Sequence, residues 1–389
     1  MMSRAKKVLL IIVRILIPVL ISLIAFLMYW IPVAPFYTGK TADFYSSKVF
    51  PTLSLPSDSV SNVFFFSLTE FFVVVGSISV IILFIAFIIT LVGKIRRRKE
   101  KKWQVLKFLY DCLLLIMILA TLAFSLYQVN HGFNYRRTSV VDKLNLDPDE
   151  RPVTDLYLVQ NWAYTGMMSA RLALGEDYNG VSHMTTDFAK SAYHANELLD
   201  KASLLYNLDL SPNIIRAKPV MLSYYWSYTD IVGFYNGIFG EANINVDSTL
   251  PLTLPLTICH EIAHGKGYAS ESDANFIATI ACCMSSRPDF RYAGYHEIFR
   301  SVTAILDNEQ DFAGQSDYLR VQRDELADYL HWSHFHESEL GRTISDVSEA
   351  TNDAFLKANG EEDGTASYNV DSNYYVEFYF KYYAGDLEW

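Results

Sequence analysis

Residues 260–264 read His-Glu-Ile-Ala-His, which places two imidazoles and a carboxylate within little more than one turn if the segment is helical. Side chains four apart share a helix face, so His260 and His264 can reach one Zn2+ between them. Glu261 can then accept a proton from a water beside that metal. With 9 His in 389 residues, chance placement yields this pattern roughly 0.01 times per chain, so two core histidines a turn apart are a weak account of it. A catalytic zinc takes three protein ligands and leaves a fourth place for water, and the next stretch, GKGYASESDANFIA, offers the third. Gly265 and Gly267 end the first helix. Ser270 opens a second with Asp273 three residues on, a capping-box arrangement that gives Asp273 a backbone task. Glu271 and Asn275 lie four apart on one face, with Asp273 rotated about 160° from Glu271. Glu271 is therefore the expected third ligand of a single Zn2+, with Asn275 a hydrogen-bonding partner behind it. The HExxHxxGxxH pattern of another zinc peptidase class fails here, because Ser270 stands where its last His belongs.

HExxH followed by Glu271-x-x-Ala274-Asn275 resembles the gluzincin arrangement, in which a second helix supplies a glutamate ligand. The step from His264 to Glu271 is seven residues, shorter than in most gluzincins. The chain as a whole resembles a family of bacterial membrane proteins catalogued as domain of unknown function 3810 and predicted to be zinc peptidases. The resemblance covers three apolar runs, Gly132-Phe133-Asn134-Tyr135, Lys218-Pro219, Ser227-Tyr228, Phe234-Tyr235-Asn236, Gly240-Glu241-Ala242-Asn243, the zinc segment, Leu356 to Gly360, Asp363-Gly364 and Ser367-Tyr368. It implies a membrane-anchored zinc metallopeptidase whose water is activated by Glu261. Gluzincins line an extended peptide along an edge strand upstream of the zinc helix, and Glu241, Ala242, Asn243, Ile244, Asn245 and Val246 are the candidates, the alternative being an ordinary sheet edge. A donor for the oxyanion is also needed; Tyr368 comes first, then Tyr228 and Tyr135, against the alternative of packed aromatics. His331, His334 and His336 read as surface or core residues. Cys259 points about 100° away from the zinc face, and Cys282 and Cys283 lie on the buried side of the next helix. A different class of function stays open, a non-catalytic zinc-containing membrane sensor or assembly factor; a structural zinc site has no use for a base such as Glu261.

The elements that position these residues follow from composition. The chain is 51% hydrophobic and 19% charged, too apolar for a disordered chain and low in charge for a soluble enzyme. Residues 1–128 hold 14 Lys+Arg against 5 Asp+Glu, and residues 129–389 hold 18 against 38, so the two parts face different solvents. The acidic part excludes nucleic acid as partner, since phosphate is bound through clustered Lys and Arg. Four cysteines, two of them adjacent, make no disulfide framework. Apolar runs at about 8–33, 63–92 and 105–129 are long enough to cross a bilayer, giving a membrane domain at 1–128 and a zinc peptidase-like domain at 129–389. Arg4, Lys6 and Lys7 precede the first run, and Lys94, Arg96, Arg97, Arg98, Lys99, Lys101 and Lys102 lie between the second and third. The bias of Lys and Arg to the cytoplasmic side places the N-terminus inside and the C-terminal domain outside a bacterial cell membrane. In that domain helical periodicity covers Asp149 to Tyr206. Short strands are expected at Val220 to Tyr224, Ile231 to Tyr235 and Ala242 to Val246, and helices return from Leu254. The fold class is α+β, mostly helical with a small antiparallel sheet. The expected partners are the lipid bilayer and a peptide or protein substrate.

Overall fold

The computed structural model describes residues 4–96, 102–147, 151–246, 250, 252–306, 321, 323 and 339–384. Helix α1 (Arg4–Val33) is followed by α2 (Lys40–Phe44), which runs through a π turn into α3 (Phe50–Val63). Then come α4 (Leu68–Arg96) and α5 (Lys102–Asn130). Three of these helices carry stretches long and apolar enough to cross a membrane, Arg14–Val33, Leu68–Gly93 and Gln104–Asn130. Their apolar side chains point outward: Ile15, Leu20, Ile81, Leu83, Ile116 and Leu119 are each more than half exposed, as expected of helices solvated by lipid. Two of the charges that interrupt these runs face one another, Arg14 lying 3.9 Å from Asp111. Tyr110 also donates to the Arg14 carbonyl. Of the basic loop, Arg97, Arg98, Lys99 and Lys101 lie outside the described residues, as do His331, His334 and His336.

The segment between the first two spans is built into the C-terminal part. The Asn213 amide donates to the Pro51 carbonyl at 2.8 Å and to Asp58 at 2.9 Å, Asn62 donates to the Ile214 carbonyl at 2.7 Å, and the Thr138 N–H reaches Asp43 at 2.9 Å. These contacts place residues 40–63 and the C-terminal part on one side of the spans.

That part contains α6 (Val140–Lys143), α7 (Val153–Leu174), α8 (Phe188–Tyr206), β1 (Lys218–Pro219), α9 (Ser223–Trp226), β2 (Gly233–Asn236) and β3 (Glu241–Ile244). There follow α10 (Leu254–Gly265), α11 (Glu271–Cys283), α12 (Pro288–Leu306), α13 (Glu339–Asn359) and α14 (Ser372–Tyr382). Helix α7 buries Val159, Ala163, Met167 and Ala170, and α8 buries Ala192, Ala195, Leu199 and Ala202, each a stripe of three- and four-residue spacing turned to one core. Helix α11 is buried nearly all round and forms the centre of that core.

The sheet corrects three expectations. Its order is β1-β3-β2, with β1 parallel and β2 antiparallel to β3, so it is mixed. The strand expected at Val220 to Tyr224 lies instead at Lys218–Pro219, and Ser223 and Tyr224 open the helical turn Ser223–Trp226. Most consequentially, residues 241–244 form the central strand, flanked by β2 along their length and by β1 at Asn243 and Ile244, and buried throughout, so they are not the edge strand expected at Glu241 to Val246. Among the described residues, the free edge beside α10 belongs to β2.

Candidate metal centre

Pro255 in its first turn suits the start of α10, and the helix stops where Gly267 adopts φ +99°. That left-handed turn sends the Tyr268 carbonyl back toward the helix, where it accepts the Nδ1–H of His264 at 2.7 Å. The proton on Nδ1 leaves Nε2 as the nitrogen that faces inward. There, His264 Nε2 lies 3.0 Å from His260 Nε2 and 3.2 Å from Glu271 Oε2, and His260 Nε2 lies 3.0 Å from the same oxygen. Two imidazoles and a carboxylate, all buried, thus aim one atom each at one point. Unprotonated acceptors this close repel, so the cluster requires a shared proton or a cation. Its N, N, O donor set fits zinc.

Electrostatics follow the geometry. Burial alone would lower the His264 pKa, but the Glu271 charge and hydrogen bond overcome it and raise the value to about 9. Burial opposes ionisation of Glu271, and the two imidazoles nonetheless hold its carboxyl well below the usual range. Glu261 is pushed up to about 7 by burial, only partly offset by the neighbouring histidines. One of its oxygens, Oε2, has no hydrogen-bond partner. The other faces β2: a Cβ on Gly233 would lie 2.7 Å from Glu261 Oε1. Glycine at 233 therefore lets the carboxylate lie directly under the strand.

Around this centre opens a groove of two adjoining lobes, about 420 and 530 Å3, which share His260, Glu261, Gly233, Phe234, Asn352 and Tyr368. Its walls are β2 and α13. The Asn245 N–H donates to the Val232 carbonyl at 2.8 Å, and pairing alternates along an antiparallel ladder. Gly233 and Tyr235 consequently turn their N–H and C=O groups away from β3.

The residues expected at the site fall into two groups. His260, Glu261, His264, Glu271 and Tyr368 come together. Tyr368 stacks on His260 with ring centres 6.3 Å apart, and its hydroxyl accepts from Asn352 at 3.2 Å. Asn275 is also near the groove, but its amide donates to the Tyr368 carbonyl at 2.6 Å; it places Tyr368 instead of supporting Glu271. Asp273 makes no capping box, since Ser270 forms no side-chain cap bond; its carboxylate accepts the Val140 N–H at 2.8 Å, and burial raises its pKa to about 7. Tyr228 packs on Tyr224, 6.1 Å between rings, and does not line the groove. Cys259 and Cys282 face each other in the core, sulfur to sulfur 3.7 Å.

Glu241 and Asn243 have a different task from lining substrate. The Glu241 carboxylate pairs with Lys218 at 2.5 Å and accepts the N–H groups of Leu68 and Thr69 at 3.0 and 2.9 Å, so it caps α4. Asn243 accepts from Ser67 at 2.6 Å. Together they pin the sheet to the head of a span.

Two residues at the site were missed. His131 is buried with its ring 5.5 Å from that of His264; its Nε2 meets the Tyr135 hydroxyl at 3.2 Å, and its Nδ1 is unpartnered. Burial drives its pKa down to about 3, so it stays neutral. Arg137 lies over the Tyr268 ring at 3.5 Å and donates to the Gly267 carbonyl at 2.6 Å, clamping the turn that fixes His264. Both sit next to the Gly132–Tyr135 segment, whose position just after an apolar run was the available signal. No curated protein and no solved structure matches the chain. The family model described as Protein of unknown function (DUF3810) matches residues 45–373; that match takes in residues 45–63, every residue of the metal cluster and Tyr368, and the chain belongs to this family.

Proposed function

We propose that the protein is a membrane-anchored zinc metallopeptidase, with its N-terminus in the cytoplasm of a bacterium and its groove outside. The observation that carries this reading is the convergence of His260, His264 and Glu271 beside a buried Glu261 under the free edge of β2. The three ligands would hold zinc, whose Lewis acidity polarises a carbonyl and acidifies a nearby water. An extended peptide pairs with the outward N–H and C=O groups of Gly233 and Tyr235. Glu261 accepts one proton of the attacking water as the hydroxyl adds to the carbonyl carbon and the carbonyl oxygen takes up the charge; the C–N bond then breaks as Glu261 passes that proton to the leaving amine. Tyr368, held by Asn275 and Asn352, donates a hydrogen bond to the oxygen that gains charge.

The test uses the full chain in detergent. His264→Ala should abolish zinc binding, whereas Glu261→Gln should keep zinc and lose hydrolysis by roughly 10²-fold or more. Hydrolysis unchanged by Glu261→Gln would favour the non-catalytic sensor or assembly factor.

A further inference from the structure

The metal centre lies against the end of one span, and the sheet beside it against the head of a second. Helix α5 ends at Asn130, and the next residue, His131, already touches the ring of His264. The turn from β2 to β3 rests on the same surface. Asn130 donates to the Gly237 carbonyl at 2.8 Å, a Cβ on Gly237 would lie 2.8 Å from that of His131, and Phe239 stacks on Phe72 of α4 at 5.0 Å. Phe72 itself is 49% exposed among the lipid-facing side chains. From Gly237 back to Gly233, where the strand covers Glu261, is four residues of strand, about 13 Å. The other wall comes down to the same level: Tyr127 of α5 donates to Asn359 of α13 at 2.7 Å, and its ring meets Phe355, a groove residue, at 5.9 Å.

The loop before β2 is also drawn to the head of a span. Glu70 of α4 accepts the N–H groups of Met221 and Leu222 at 2.8 and 2.6 Å. Met221, Tyr224 and Tyr225 are exposed, a composition suited to the headgroup region. Trp226 of this loop packs on Phe234 in the groove wall at 5.0 Å, so one wall is joined to the segment held by Glu70.

Resting on the peptidase reading, we propose that the substrate is a polypeptide anchored in the same bilayer, bound through the first extended residues outside its own membrane segment. A groove whose β2 wall rises about four residues, roughly 13 Å, from the turn packed on the end of α5 is within reach of four or five extended residues, and sharing a bilayer replaces a three-dimensional search with a high effective concentration. The test places the full chain in lipid vesicles with a single-span polypeptide whose 12 residues outside the membrane are randomised, and compares the same library made without its span. Cuts mapped by mass spectrometry should cluster about four to eight residues from the span, and the anchored library should be cut on the order of 10²-fold faster. A helical spacer of about 20 residues, roughly 30 Å, placed before the randomised stretch should reduce cutting to the rate of the unanchored library. Equal rates with and without the span, or cutting undiminished by the spacer, would overturn the anchoring inference and leave the peptidase reading standing. No cutting of either library, or cutting unchanged by Glu261→Gln, would overturn the peptidase reading itself and the inference with it.

Discussion

Replacing Glu241 with Ala separates a strand that serves substrate from one that pins the fold. The change removes the carboxylate that meets Lys218 at 2.5 Å and the Leu68 and Thr69 N–H groups at 3.0 and 2.9 Å. Both members of the ion pair are 0% exposed, so the Lys218 charge is left buried, which costs about 3–5 kcal/mol. Each amide left without an acceptor adds about 1–3 kcal/mol. These losses share one carboxylate and do not add in full, which leaves about 4–7 kcal/mol against the roughly 5–15 kcal/mol that holds a domain folded. Unfolding of the full chain in micelles, followed by heat or denaturant, measures it. Adding Lys218→Met removes the stranded charge and should recover about 3 kcal/mol. A Glu241→Ala protein within about 0.5 kcal/mol of wild type, with weakened peptide binding, would refute the pin and restore the strand as a substrate edge.

Gly233→Ala drives a methyl to 2.7 Å from Glu261 Oε1, so zinc content should be kept while activity falls on the order of 10²-fold as the carboxylate is displaced; wild-type activity would show that Glu261 works from elsewhere. Asp273→Ala orphans the Val140 N–H and should cost about 1–3 kcal/mol with zinc retained, whereas Asp273→Asn keeps an acceptor and should be the more stable of the two above pH 7; loss of zinc in either would make Asp273 a ligand. In metal-free protein, the His264 pKa, raised from 6.5 to about 9, gives stability that is full below pH 6.5 and lost as pH rises through 9. The depressed Glu271 pKa gives stability present above its ordinary 4.5 and lost as pH falls. The unfolding midpoint of metal-free protein should therefore drop between pH 6 and 9.5, and a flat profile would refute the pair. Tyr178 is 96% exposed; a Cys there should react with a membrane-impermeant reagent in intact cells, and reaction only after lysis would reverse the orientation.

What could be read from the sequence was what local pattern encodes. Spans follow from runs of apolar residues, and His260, Glu261 and His264 follow from four-residue spacing on one helix. Glu271 could be separated from Asp273 by angle alone, although the capping task given to Asp273 proved to be a bond to Val140, 133 positions upstream. Pairings between distant segments left no such trace. Alternation at 241–246 suits a strand, but whether it has one neighbour or two depends on Lys218-Pro219, too short to show any periodicity. His131, Arg137 and the 40–63 segment gain their roles only when the spans bring them beneath α10.

The cap of α4 also has a place in time. Glu241 lies 173 residues after Leu68, and at roughly 5–20 residues per second about nine to thirty-five seconds of synthesis separate the helix from its acceptor. Ser67, Leu68 and Thr69 wait that long at the membrane surface, and the 40–63 segment waits for Thr138, Asn213 and Ile214. The two halves of the chain therefore close on one another late, when most of the polypeptide has been made. A chain begun at residue 130 could not complete that closure: Lys218 and Glu241 would still find each other, but the remaining acceptors and donors of the pin would face water.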